Sequence, residues 1–87
     1  MILDHVTDAT VNAFSFQADK NVESALRFIE SQDVYLDRLR LLSPTSVLAQ
    51  VEGSNNRKIT IGGDASKAAK PVVFVKGAKK DAVTLRI

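Results

Sequence analysis

SQDVYLDRLRLL, residues 31–42, can be read with either of two periods, and the fold depends on which one holds. With helical spacing, Leu36 and Leu39 continue a stripe begun by Ile29, Tyr35 and Leu42 flank it, and the helix stops before Pro44. With strand spacing, Val34 and Leu36 open a run, Leu39-Arg40-Leu41 alternates, and Ser43-Pro44-Thr45 turns the chain into the next strand. The turn chemistry favours a strand or a broken helix over residues 34–42.

Upstream, Val22, Ala25, Leu26 and Ile29 fall at helical spacing with Phe28 beside them, behind the polar residues Asp19 and Asn21. Asn21 suits an N-cap, Glu23 lies in the first turn where the helix dipole favours an anion, and Arg27 follows four residues later. An amphipathic helix is expected there. Before it, residues 11–16 read as a strand whose Phe14 and Phe16 point into the core beneath that helix, with an exposed base-stacking pair as the alternative.

Downstream the period is two. Val47, Ala49 and Val51 alternate with Leu48, Gln50 and Glu52, and after Gly53-Ser54-Asn55-Asn56 the alternation resumes at Ile59 and Ile61, which reads as a hairpin. A second hairpin is expected from Val72-Val73-Phe74-Val75, a turn over Gly77–Asp81, and Val83, Leu85 and Ile87. The unbroken apolar run places residues 72–75 centrally, covered on both faces. The predicted architecture is α+β: one amphipathic helix on a mostly antiparallel sheet, or a small partly open barrel, of about five strands. Residues 1–87 form a single domain, in which no internal repeat is visible.

Composition narrows the function. In 87 residues, 45% are hydrophobic and 25% charged, the profile of a globular domain. There is no cysteine, hence no disulfide and no thiolate, and the lone histidine leaves few ways to hold a transition metal. No stretch approaches the roughly 20 apolar residues of a membrane helix, and the start lacks a signal peptide's basic flank, so a cytoplasmic protein is expected.

Three constellations could carry chemistry, and each has a simpler reading. Asp4, His5 and Asp8 lack a further ligand to complete a metal site and read as a solvated start. Glu30, Asp33 and Asp37 would share a helix face, too exposed to separate their pKa values for acid–base work. Gly62-Gly63-Asp64-Ala65-Ser66-Lys67 lacks the Walker spacing, and Asp64 would repel phosphate; Gly62-Gly63 read as a strand end and Asp64 as the cap of a short turn. No catalytic, cofactor or metal residue is assigned, and an enzyme is not expected.

Charge has more reach. Residues 1–37 hold seven acids and two bases, net −5, while residues 38–87 hold ten bases and three acids, net +7. This asymmetry suits a non-catalytic protein-interaction or assembly module, self-associating through a sheet edge and complementary acidic and basic faces. The alternative is a sequence-tolerant nucleic-acid binder that grips phosphates with Arg57, Lys58, Lys76, Lys79 and Lys80.

Overall fold

A computed structural model describes residues 1–17 and 24–86. Among them the chain forms nine strands and no α-helix: β1 Ile2–Asp4, β2 Thr7–Asn12, β3 Ser15–Phe16, β4 Leu26–Ile29, β5 Gln32–Leu41, β6 Thr45–Glu52, β7 Arg57–Asp64, β8 Ala68–Val75 and β9 Val83–Arg86. One 3-10 turn, Lys80–Ala82, precedes β9. Every pairing is parallel. One sheet runs β1-β4-β6-β8, the other β2-β5-β7-β9, and β3 also pairs with β5.

The chain therefore winds as a β-solenoid of four coils: β1 to β3, β4 and β5, β6 and β7, β8 and β9. Each coil lays its strands on those before it, so Leu3, Phe28, Val51 and Phe74 stack in register in the first sheet. Ala9, Val34, Ile59 and Val83 do the same in the second, as do Val11, Leu36, Ile61 and Leu85. Strands alternate inward and outward, and these inward rows make the core. In the two middle coils Phe28, Val34, Leu36, Val51, Ile59 and Ile61 are at most 1% exposed, whereas their counterparts in the end coils are only partly buried.

The expected α+β architecture is thus overturned. Residues 26–29, expected within the amphipathic helix, are β4, with Leu26 and Phe28 buried and Arg27 and Ile29 less so; Asp19, Asn21, Val22 and Glu23 lie outside the described residues. Residues 32–41 are strand, and the helical period there was produced by a bulge between Leu36 and Leu39 that shifts the alternation by one. Neither hairpin exists. Residues 53–56 and 76–79 carry the chain round a corner into the other sheet, so β6 and β7 never pair, nor do β8 and β9. The run over residues 72–75 is half-buried at the edge of its sheet, not central. Phe14 and Phe16 do pack against the core, and Gly62-Gly63 fall in the last three residues of β7, which ends at Asp64.

The corners hold a repeat that residue identity hides. Positive-φ residues recur coil by coil, and not at corners alone: Asp8, Asp33 and Lys58 are each the second residue of β2, β5 and β7, and Ala13 and Arg38 continue to Gly63, each 25 residues apart. His5, Glu30, Gly53 and Lys76 form a third series, spaced 25, 23 and 23. Inside that corner the Ser31 hydroxyl accepts from Val6 N at 3.2 Å, and Asn56 Oδ1 accepts from Ser31 N at 2.8 Å. Asn56 Nδ2 in turn donates to the carbonyls of Glu52 and Gly53 at 2.6 and 3.0 Å. These side chains satisfy backbone groups that the corner withholds from the sheets, each costing about 1–3 kcal/mol if left buried and unpaired. No helix among the described residues is long and apolar enough to cross a membrane.

Candidate functional site

The residues singled out from the sequence land in separate places. Glu30 turns its carboxylate over Gly53 and accepts from Asn55 N at 3.1 Å, Asp33 holds a positive φ at the start of β5, and Asp37 accepts from Arg38 N at 3.0 Å. They form no acidic face. His5 pairs with Asp4 at an exposed corner, and among the described residues no group of three or more His, Asp or Glu side chains could hold a metal ion. Asp64 Oδ1 accepts from Ser66 N at 3.0 Å, the turn-capping role expected of it, and that bond lowers its pKa.

Of the five basic residues, two converge. Arg57 and Lys79 line a polar cleft of about 360 Å³ with Gln32, Ser54, Asn55, Asn56 and Asp81, where Arg57 donates to Gln32 Oε1 at 3.0 Å. Lys76 turns away to Glu52, 3.7 Å distant. Lys58 and Lys80 are exposed and join no ion pair among the described residues.

Glu52 is the charged group that sequence reasoning missed. Its side chain is only 5% exposed although it faces outward, because cations from the neighbouring coils cover it. Arg27 donates through Nε at 2.6 Å and Nη2 at 3.1 Å, and Gln50 donates at 3.3 Å. The Arg27 hydrogen bonds hold the carboxyl below the ordinary 4.5, against the desolvation that would raise it and with help from the charges of Arg27 and Lys76. Arg27, Glu52 and Lys76 stand a coil apart, a relation invisible until the winding is known.

A group with a depressed folded pKa adds stability above its unfolded pKa and loses it as pH falls through the folded value. Acid titration should therefore erode the stability of the protein from about pH 4.5 downward. In Glu52→Gln that erosion should be weaker and stability at neutral pH lower, as urea midpoints between pH 3 and 7 would report. Parallel profiles for the two proteins would remove Glu52 from the acid response.

The solenoid also gives the charge asymmetry a direction. Coil one carries Asp4 and Asp8 with no lysine or arginine. The second coil sets Glu30, Asp33 and Asp37 against Arg27, Arg38 and Arg40, and the third sets Glu52 and Asp64 against Arg57 and Lys58. Coil four carries Lys70, Lys76, Lys79, Lys80 and Arg86 against Asp81 alone. Among the described residues side-chain charge on the coils thus runs −2, 0, 0 and +4 along the axis, with Lys67 adding one more cation in the link before the last coil.

Both ends are open. Neither sheet continues before β1 and β2 or beyond β8 and β9 among the described residues, so one side of each of these strands is unpaired. Behind those edges Leu3, Ala9, Val11, Phe14 and Phe16 at one end, and Val72, Phe74, Ala78, Val83 and Leu85 at the other, are partly buried. Fold and site together define a parallel β-solenoid whose first and last described coils carry opposite side-chain charge. No protein-family model, curated protein or solved structure matches the chain.

Proposed function

We propose that this protein is a non-catalytic assembly module whose partner is a second copy of itself, joined through the end coils. The observation that carries this reading is the pair of unpaired sheet edges, each backed by apolar rows that are fully buried only in the middle coils. An exposed strand edge is a template for further pairing, and apolar surface behind it adds a hydrophobic gain of roughly 25 cal/mol per Å² covered. The opposite charges of the ends steer association and disfavour like ends meeting. A cytoplasmic setting accompanies this reading, in keeping with a chain without cysteine.

Nucleic-acid binding is the second reading, supported by the convergence of Arg57 and Lys79 in one cleft. It is the weaker one, because Asp81 shares that cleft and Lys76 is committed to Glu52.

Sedimentation velocity over a wide concentration range should show species that grow with concentration and recede as salt rises from about 50 to 500 mM. The double variant Lys79→Glu/Lys80→Glu, which reverses charge at the basic end outside the core, should associate more weakly. A monomer at every concentration, with both proteins alike, overturns the reading. Salt-sensitive binding of random oligonucleotides by a protein that stays monomeric would put the second reading in its place.

A further inference from the structure

Three places could carry more. The Arg57–Lys79 cleft offers two exposed cations beside an acid, with nothing in it that selects a ligand. The outward row Thr10, Tyr35, Thr60 and Thr84 makes a hydroxyl-bearing face interrupted by one aromatic. The end coils carry a complete geometric specification of a partner.

We infer that the copies join head to tail, in the register the solenoid already uses, with β1 of one copy laid on β8 of the next and β2 on β9. This deepens the assembly reading above and rests on it. The first observation is a match of lengths. β8 runs Ala68–Val75, but its first half carries Lys70 and Pro71, a charge and a residue without an N–H, both of which blunt an edge. The stretch left open is Val72–Val75.

The strand available at the other end, β1, has three residues, Ile2–Asp4. The stacked rows Ile2–Arg27–Gln50–Val73, Leu3–Phe28–Val51–Phe74 and Asp4–Ile29–Glu52–Val75 end on the open stretch. One more step along them places Ile2 of the next copy on Val73, Leu3 on Phe74 and Asp4 on Val75. The second sheet agrees, because its rows set Ala9 on Val83, Thr10 on Thr84 and Val11 on Leu85. Apolar rows then run unbroken through the junction.

Charge fixes the polarity. Within the chain Lys76 reaches back one coil to Glu52, in the row that also contains Asp4. At the junction Asp4 of the incoming copy takes the position one coil forward, so Lys76 lies between two carboxylates. Joining two first coils would set −2 against −2, and joining two last coils +4 against +4. Head-to-tail joining uses different surfaces on the two copies, and a small rotation per copy does not close, so the product is an open filament rather than a dimer.

The cysteine-free chain makes the test clean. Ile2 and Val73 both face outward in one row, and neighbouring strands about 4.8 Å apart satisfy disulfide geometry. Mixing Ile2→Cys with Val73→Cys under mild oxidation should give mixed dimers, and Ile2→Cys/Val73→Cys in one chain a ladder of dimers, trimers and longer products. Ile2→Cys/Lys70→Cys, three positions out of register, should give at least tenfold less. Homodimers of either single variant, or equal yields from the displaced pair, overturn the polarity or the register. Association by sedimentation without the mixed crosslink overturns this inference while leaving self-assembly standing; absence of association overturns both.

Discussion

Gly63→Ala should unfold the protein or cost at least about 4 kcal/mol, while Gly77→Ala should cost about 1–2 kcal/mol. Both glycines hold a positive φ, +130° at Gly63 and +83° at Gly77, so both substitutions meet backbone strain. They differ in space. A Cβ on Gly63 would press into the backbone N, C and O of Leu39, with the carbonyl carbon at 2.8 Å, and these are strand atoms of the coil below. A Cβ on Gly77 meets nothing nearer than the Ser54 Cβ at 3.9 Å. The obstruction at Gly63 has a cause in the winding. β5 carries an extra residue between Leu36 and Leu39, and the bulge pushes its backbone towards β7 at the point where Gly63 pairs with Leu39. Without side-chain atoms to move aside, the substitution must shift a strand and lose the ladder with it. Urea midpoints for the two variants decide the matter: equal and mild losses would mean that the two strands do not meet there.

The same bulge explains part of what the sequence concealed. Strands at residues 45–52, 57–61 and 83–86 are legible because one face of each is buried and the other wet, which stamps a period of two on the residues, while residues 72–75 are legible as a continuous apolar run and residues 34–41 only on either side of the bulge. Their pairing is not legible. A half-wet strand is the usual mark of an antiparallel sheet, since most parallel sheets are covered on both faces. A solenoid breaks that association, because its parallel sheets face water on the outside. Gly53 supplies a positive φ that a hairpin would also need, but spends it turning the chain through a corner into the second sheet.

The repeat escaped for a related reason. Equivalent corner positions hold His5, Glu30, Gly53 and Lys76, or Val6, Ser31 and Asn56, and the steps between them vary from 23 to 25 residues. What recurs is backbone conformation and direction of burial, neither of which demands a particular side chain. The asymmetry of charge was fully visible along the sequence, but its meaning was not: only a fold that keeps chain order along one axis turns early acids and late bases into two opposed ends. Glu52 shows the same limit at one residue, being an ordinary exposed acid until Arg27 and Lys76 arrive from the coils on either side.

Truncation of one inward row, compared coil by coil, gives the second large effect. Phe28→Ala should destabilise the protein by about 3–5 kcal/mol, whereas Phe74→Ala should cost less than half as much in the monomer. The two occupy the same row, between which only Val51 intervenes. Phe28 is 0% exposed and has Leu3 on one side and Val51 on the other, whereas Phe74 is partly buried with an open edge beyond it. Collapse around the lost ring at Phe28 is hindered because the coils above and below are held about 4.8 Å apart by their ladders, so the cavity persists and the cost stays in the upper part of the usual range. For a chain of this length the change corresponds to a fall of more than about 10 °C in Tm. Equal losses at the two positions would contradict the coil order, because a phenylalanine on an amphipathic helix at residues 22–29 would owe its burial to no such row. Assembly changes the comparison in a defined direction. In a head-to-tail filament Leu3 of the next copy covers Phe74, so the cost of Phe74→Ala should rise towards that of Phe28→Ala as protein concentration increases, while that of Phe28→Ala stays fixed.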